Sequence, residues 1–325
     1  SFANPSSFHD AGRGTAALLH GARVGVAKFL RARPDEIIFC SSGSEANALA
    51  ILGSVQARGV GSVLTTKIEH LSVLESVQIL GDKKHKTVFV AVDQFGFVDV
   101  ESVMRALNTS TTLVSIMYSN NEIGTIQPIA RIGALIARWR RAHHSAYPLF
   151  HVDACQATTT LDMNVQRLSV DLLTLNGAKA YGPHGSAVLY VRRGVTLEPL
   201  VRGGSQEGGR RAGTEDVASA CGLAAALELV KSDDGIRLAK LRDRLIEGIM
   251  KGVPDAKLNG PSHKDRLVGN VNISIPGCDS ESLLLELDQK GIHAGSGSAC
   301  TAHRVESSHV LVAIGTPKKY LEGVV

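Results

Sequence analysis

Through its first two thirds the chain alternates short, continuously apolar runs with longer stretches of helical periodicity. Runs at 36–40, 62–66, 87–92, 113–118, 149–152, 172–175 and 187–191 read as strands. Most are apolar at every position instead of every second one, which is the pattern of strands covered on both faces. Helical patterns over 45–58, 70–80, 100–107 and 129–141 sit between many of them. This alternation predicts an α/β fold built on a mostly parallel, doubly wound sheet. After residue 232 the pattern changes to a long helix over 235–251, a strand over 270–275, a helix over 280–290 and a last helix over 305–314. The expectation is a large domain over 1–232 and a smaller α+β C-terminal domain over 233–325.

A chain of 325 residues, 44% of them hydrophobic, has enough material for a substantial core. Its net charge of +4 and the lack of any run of five Lys/Arg residues argue against nucleic acid as a partner. The basic run 138–141 closes a predicted helix, where cations favour the dipole. No apolar segment is long enough to cross a membrane and no signal-peptide pattern opens the chain. Cys40, Cys155, Cys221, Cys278 and Cys300 are scattered without a Cys-x-x-Cys pair, so neither a disulfide framework nor a metal site is expected. A reducing, cytoplasmic setting follows, or an organelle if a targeting segment precedes Ser1.

Four stretches carry chemistry. Cys300 lies in Ala-Gly-Ser-Gly-Ser-Ala-Cys-Thr-Ala (294–302), where small residues leave a thiol little to pack against. An accessible thiol suits a nucleophile, because only the thiolate reacts and it needs access. The run 39–47, Phe-Cys-Ser-Ser-Gly-Ser-Glu-Ala-Asn, follows a strand and opens a helix, so Gly43 and Ser44 lie where backbone N–H groups could cup an anion. A plain serine cap is the commoner meaning of such a turn. Asp153 stands at the carboxyl end of an apolar strand, where open α/β sheets bind ligands. Lys179 follows the next strand among small residues, as a surface lysine or as a sheltered amine suited to Schiff-base chemistry. Phosphate cup, aspartate, lysine and mobile thiol together are what an enzyme using pyridoxal 5'-phosphate (PLP) requires.

These residues resemble the cysteine desulfurase family, within the class V aminotransferases of fold type I, over nearly the whole chain. The matching stretches are Asn-Pro-Ser-Ser-Phe-His (4–9), Ser-Glu-Ala-Asn (44–47), Ile-Glu-His (68–70), Asn-Asn-Glu-Ile-Gly (120–124), Asp153 with Gln156, Lys179, Arg-Ala-Gly-Thr-Glu (211–215) and Ser-Gly-Ser-Ala-Cys-Thr (296–301). The resemblance implies a fold type I PLP-dependent transferase that converts L-cysteine to L-alanine. It also implies that sulfur passes to Cys300 as a persulfide, for delivery to an acceptor protein in iron–sulfur or thio-cofactor assembly. Lys179 would carry the cofactor and His70 would stack on its ring and assist proton movement. Asn121 and Gln156 would approach its phenolic oxygen and Asp153 its ring nitrogen. Thr214 would reach the phosphate of the neighbouring subunit in a homodimer.

The departures from the family pattern are specific. Asn176 and Ala178 stand where the family has a phosphate-binding serine and histidine, and Ser42-Gly43-Ser44 replaces its Gly-x-Thr. Fewer donors should weaken cofactor retention by roughly 1–3 kcal/mol for a lost charge-assisted bond. The family's N-terminal Leu-Asp-Asn-x-Ala-Thr and its C-terminal substrate arginine are not found in residues 1–325, so either the chain is truncated or its carboxylate clamp differs, with Arg211 as a candidate substitute. Selenocysteine lyase, or an impaired relative serving as a partner or scaffold, are the competing readings.

Overall fold

In the computed structural model of the chain, residues 3–82, 85–230, 233–297 and 307–325 are described. Seven strands form the central sheet: β1 (Ile37–Cys40), β2 (Ser62–Thr66), β3 (Lys86–Val90), β4 (Thr111–Ser115), β5 (Leu149–Asp153), β6 (Leu172–Asn176) and β7 (Ala187–Val191). Their order is β1-β7-β6-β5-β4-β2-β3. Neighbours from β3 through β2, β4 and β5 to β6 are parallel, whereas β7 runs antiparallel to both β6 and β1. The expected mostly parallel sheet is present.

Alternating residues of each strand enter different cores, yet both cores are apolar. On one face Phe150, Val152, Leu173, Leu175, Val188 and Tyr190 pack together; on the other, Leu149, Leu172, Leu189 and Val191 do so. Each fully buried branched side chain contributes about 1.5–3 kcal/mol relative to exposure. That two-sided burial is why the strand runs lack a polar alternate.

Helices cover the sheet: α1 (Asp10–Leu30), α2 (Gly43–Ala48), α3 (Ser54–Arg58), α4 (Leu71–Asp82), α5 (Val100–Ala106), α6 (Ile129–Ala142), the single-turn α7 (Val165–Leu168) and α8 (Val217–Glu228). The helix expected over 45–58 is interrupted by a π turn at Leu49–Gly53. Sequence periodicity did not predict α1, which buries Leu19, Ala22, Val26 and Leu30 and packs along α8. The His9 ring caps it, accepting the Gly12 N–H on Nδ1 at 3.0 Å.

Beyond residue 232 lie α9 (Asp233–Gly252), a two-stranded antiparallel ribbon of β8 (Lys257–Leu258) and β9 (Ile273–Ser274), α10 (Ser280–Gln289) and α11 (His309–Ala313). The strand expected over 270–275 shrinks to two residues: β8 pairs with it over two residues, and on its other edge Ser274 meets Val324 in a single bridge. The last helix, expected from 305, begins at His309; residues 298–306 lie outside the described ones. Among the described residues no helix is long and apolar enough to cross a membrane.

Candidate active site

The carboxyl ends of β2, β5 and β6, together with the loop after β4, deliver side chains to one edge of the sheet. His70 follows β2, Asn121 lies beyond β4, Asp153 ends β5, and Asn176 ends β6 immediately before the 3-10 turn Gly177–Ala180 that holds Lys179. This is the crevice in which parallel sheets bind ligands.

Asp153, only 5% exposed, accepts two hydrogen bonds: the Cys155 N–H reaches Oδ1 at 3.0 Å and the Asn47 amide reaches Oδ2 at 2.7 Å. The same amide nitrogen donates to Ser72 Oγ at 2.9 Å, and Ser72 Oγ is 2.8 Å from His70 Nδ1. His70 and Asp153, 83 positions apart in sequence (153 minus 70), are thus joined through α2 and α4.

The turn after β1 is a helix cap and something more. Ser42 Oγ accepts the Glu45 N–H at 3.1 Å, the ordinary capping bond. Gly43 is pressed against the ends of β5 and β6: a Cβ there would stand 2.8 Å from Cys155 Sγ and 3.5 Å from Asn176 Nδ2. A glycine is needed for that approach. It brings the amino end of α2, with its free N–H groups, beside Asn176, whose own Oδ1 accepts the Ala178 N–H at 3.0 Å. The Ser44 hydroxyl is exposed.

The Cys155 thiol is pushed well above its usual range, first by burial and then by the Asp153 carboxylate, while the positive charge of Lys179 opposes the shift. That opposition places the Lys179 charge within electrostatic reach of Cys155. Lys179 itself is exposed, as is Tyr181 beside it, so the sheltered amine expected from sequence is open to water in the single chain. The turn joins β6 to β7, and α8 packs against its glycines through Leu223 and Ala226 while leaving the Lys179 side chain open.

Asn121 and Gln156 are half-buried. The fully buried Asn120 builds the loop: its Oδ1 accepts the Glu122 and Ile123 N–H groups at 2.8 and 2.9 Å, and its amide donates to the Ile68 carbonyl at 2.8 Å. Arg211 Nε is 2.9 Å from Glu45 Oε1 and lines a cavity with Cys40, Ser41, Ser186, Glu207 and Glu215. Burial alone would raise the Glu45 carboxyl, but Arg211 and the Ser41 donors hold it below the usual carboxylate range. Arg211 is therefore engaged with Glu45. Thr214 is exposed, and Cys300 lies outside the described residues.

Sequence reasoning gave no role to Ser72, Glu69 or Cys155, and none to Asn47 beyond its place in the turn. Asn47 and Ser72 act through bonds to residues 106 and two positions away respectively, and local spacing carried no signal for the longer one. Among the described residues no cluster of His, Cys, Asp and Glu could hold a metal.

A doubly wound sheet with an aspartate, a lysine and a glycine-pinned helix start at its carboxyl edge defines a class: the chain belongs to the class V aminotransferase family, whose profile matches residues 1–316. It is 42% identical to cysteine desulfurase IscS of Clostridium botulinum (strain Kyoto / Type A2), across 99% of this chain and 81% of that one. It is equally 42% identical to the IscS of Methanosarcina thermophila, across 99% and 79%. A solved NifS-like protein superposes with a TM-score of 0.89 at 31% identity, covering 99% of this chain and 84% of that one. A structure of SspA in complex with cysteine matches with a TM-score of 0.84 at 31% identity, covering 99% and 89%. Within the class V family, the chain is a member of the cysteine desulfurases.

Proposed function

We propose that this chain is the PLP-dependent desulfurase its family implies, taking L-cysteine to L-alanine and passing the sulfur to an acceptor through Cys300. The observation that carries the reading is the meeting of Lys179, Asp153, His70 and the Gly43 turn at one sheet edge, from four separate segments.

The residues present fit the cofactor. A side chain at position 43 would fill the junction where the helix start meets Asn176, so that cradle exists only with glycine. Gly43, Ser44, Asn176 and, from a second copy, Thr214 would hold the phosphate; Asp153 would hold the ring nitrogen, with Asn121 and Gln156 beside the phenolic oxygen. When bound, PLP supplies an aldehyde that captures amines and a ring that delocalises the charge left by a departing α-proton. Lys179 Nζ would anchor the aldehyde carbon and, once the substrate amine displaces it, would accept the proton from the substrate Cα. His70 would lie on the ring and hold or release a proton at its imidazole. The Cys300 thiolate would attack the substrate sulfur as the carbon–sulfur bond breaks, leaving a persulfide on Cys300. Arg211 would serve the substrate carboxylate only after leaving Glu45.

A homodimer belongs to the same reading. Tyr181, two positions from Lys179, is 91% exposed, and a second copy placed over it would shelter Lys179. The division at residue 232 into a cofactor domain and a smaller domain belongs to this proposal.

Two substitutions test it. Lys179→Ala should abolish both cysteine-dependent sulfide release and the borohydride-trapped cofactor adduct, and an adduct trapped on another lysine would overturn the assignment. Cys300→Ala should keep the cofactor's visible absorbance and lose sulfide release; full activity in that variant would refute the relay.

A further inference from the structure

The bonds from His70 to Asp153 fix more than position. The Asn47 side chain is 1% exposed, and its amide nitrogen finds an acceptor for each of its two hydrogens: Asp153 Oδ2 at 2.7 Å and Ser72 Oγ at 2.9 Å. The opposite amide orientation would set a carbonyl oxygen against the Asp153 carboxylate, so the orientation is forced by charge. Asn47 Oδ1 is buried and has no hydrogen-bond partner, so the residue leaves an acceptor unsatisfied to place its two donors.

With a lone pair of Ser72 Oγ taken by Asn47, the hydroxyl hydrogen is free to donate, and its neighbour at 2.8 Å is His70 Nδ1. The Ser72 backbone N–H donates to the same ring nitrogen at 3.1 Å. Donors converging on Nδ1 require its lone pair, which puts the ring proton on Nε2. Ser72 is the second residue after His70 and lies in the first turn of α4, so ring and helix start are held as one unit.

We propose that Asn47 and Ser72 are positioning residues for His70. They lock its imidazole as the Nε2–H tautomer and couple its orientation to the Asp153 carboxylate, so that a proton is offered to the site at Nε2. This inference rests on the roles given above to His70 and Asp153.

The test begins with cofactor-free protein carrying 15N-labelled histidine, read by long-range proton–nitrogen correlation at pH 8. Native protein should show one protonated nitrogen, Nε2, on His70. Ser72→Ala and Asn47→Ala should each move the two ring-nitrogen shifts toward one another as the other tautomer is populated, and Ser72→Thr should restore the native pattern. In the holoenzyme Ser72→Ala should lower kcat about fivefold, the scale of one lost hydrogen bond, with KM changed less than twofold. If Ser72→Ala left both the ring shifts and kcat at native values, the proposal would be overturned. Ser72 is half-buried, so this variant stands as the test even if Asn47→Ala fails to fold. Failure of the desulfurase reading would appear differently, as no cysteine-dependent sulfide from the native holoenzyme while the ring shifts still report the lock.

Discussion

Glu69 sits one residue before His70 with no exposed surface, and its carboxyl is pushed up to about 8, first by burial and further by the nearby Asp153. A hydrogen bond from Thr66 Oγ1 to Oε1 at 2.7 Å offsets only part of this. The native state therefore keeps a proton that the unfolded chain, with an ordinary value of 4.5, releases. The resulting stability is fully present below about pH 4.5 and is lost as pH rises toward 8. Across that window the melting temperature should fall with rising pH, at a limit of about 1.4 kcal/mol per pH unit for one proton. Glu69→Gln, neutral at every pH, should flatten this decline. A thermal melt series from pH 5 to 8 on both proteins checks it, and parallel slopes would contradict the burial argument.

Among elements, the junction of β1, the serine turn and α2 is the tightest at the site. A methyl group at position 43 would meet Cys155 Sγ at 2.8 Å, closer than side-chain carbons come to a neighbour. Gly43→Ala should therefore destabilise the protein by about 1–3 kcal/mol through overpacking. Cys155→Ala should remove the obstacle, so the double variant should recover most of the loss. A double-mutant cycle from urea unfolding measures the coupling; simple additivity would mean that the strain lies in the backbone. The sequence made this junction visible as strand, small residues and helix, and most strands were legible because both their faces are covered, whereas the edge strand β3 is half-exposed. The helix α1 was not, since Gly12, Gly14, Gly21, Gly25 and several alanines dilute its periodicity, and its contact with α8, as where Gly25 approaches Ala224, is made only in the folded chain. Nor was the link from Asn47 to Asp153, because a contact across 106 positions is a property of the packed sheet. Lys179 was readable by position, whereas its exposure depends on what covers the sheet edge.

At the scale of the whole molecule, one buried carboxylate ties distant parts of the chain together. Glu207, with its side chain 1% exposed, receives Arg23 of α1 through both oxygens at 2.7 and 2.8 Å, and also accepts the Phe39 N–H of β1 at 2.9 Å. Arg23 in turn donates to the Ile37 carbonyl at 2.6 Å and lies over the Phe39 ring at 4.9 Å. The first helix, the first strand and the turn leading to Arg211 and Thr214 are thereby fixed to one another. A buried pair gains little over a well-packed apolar pair, but stranding one of its charges is costly. Arg23→Met should therefore lower the unfolding free energy by about 3–5 kcal/mol, whereas Arg23→Met combined with Glu207→Met should lie much nearer the native value. Urea midpoints at unchanged denaturant slope measure both. Equal losses in the single and double variants would assign the stability to the bond from Arg23 to the Ile37 carbonyl, which both variants lose.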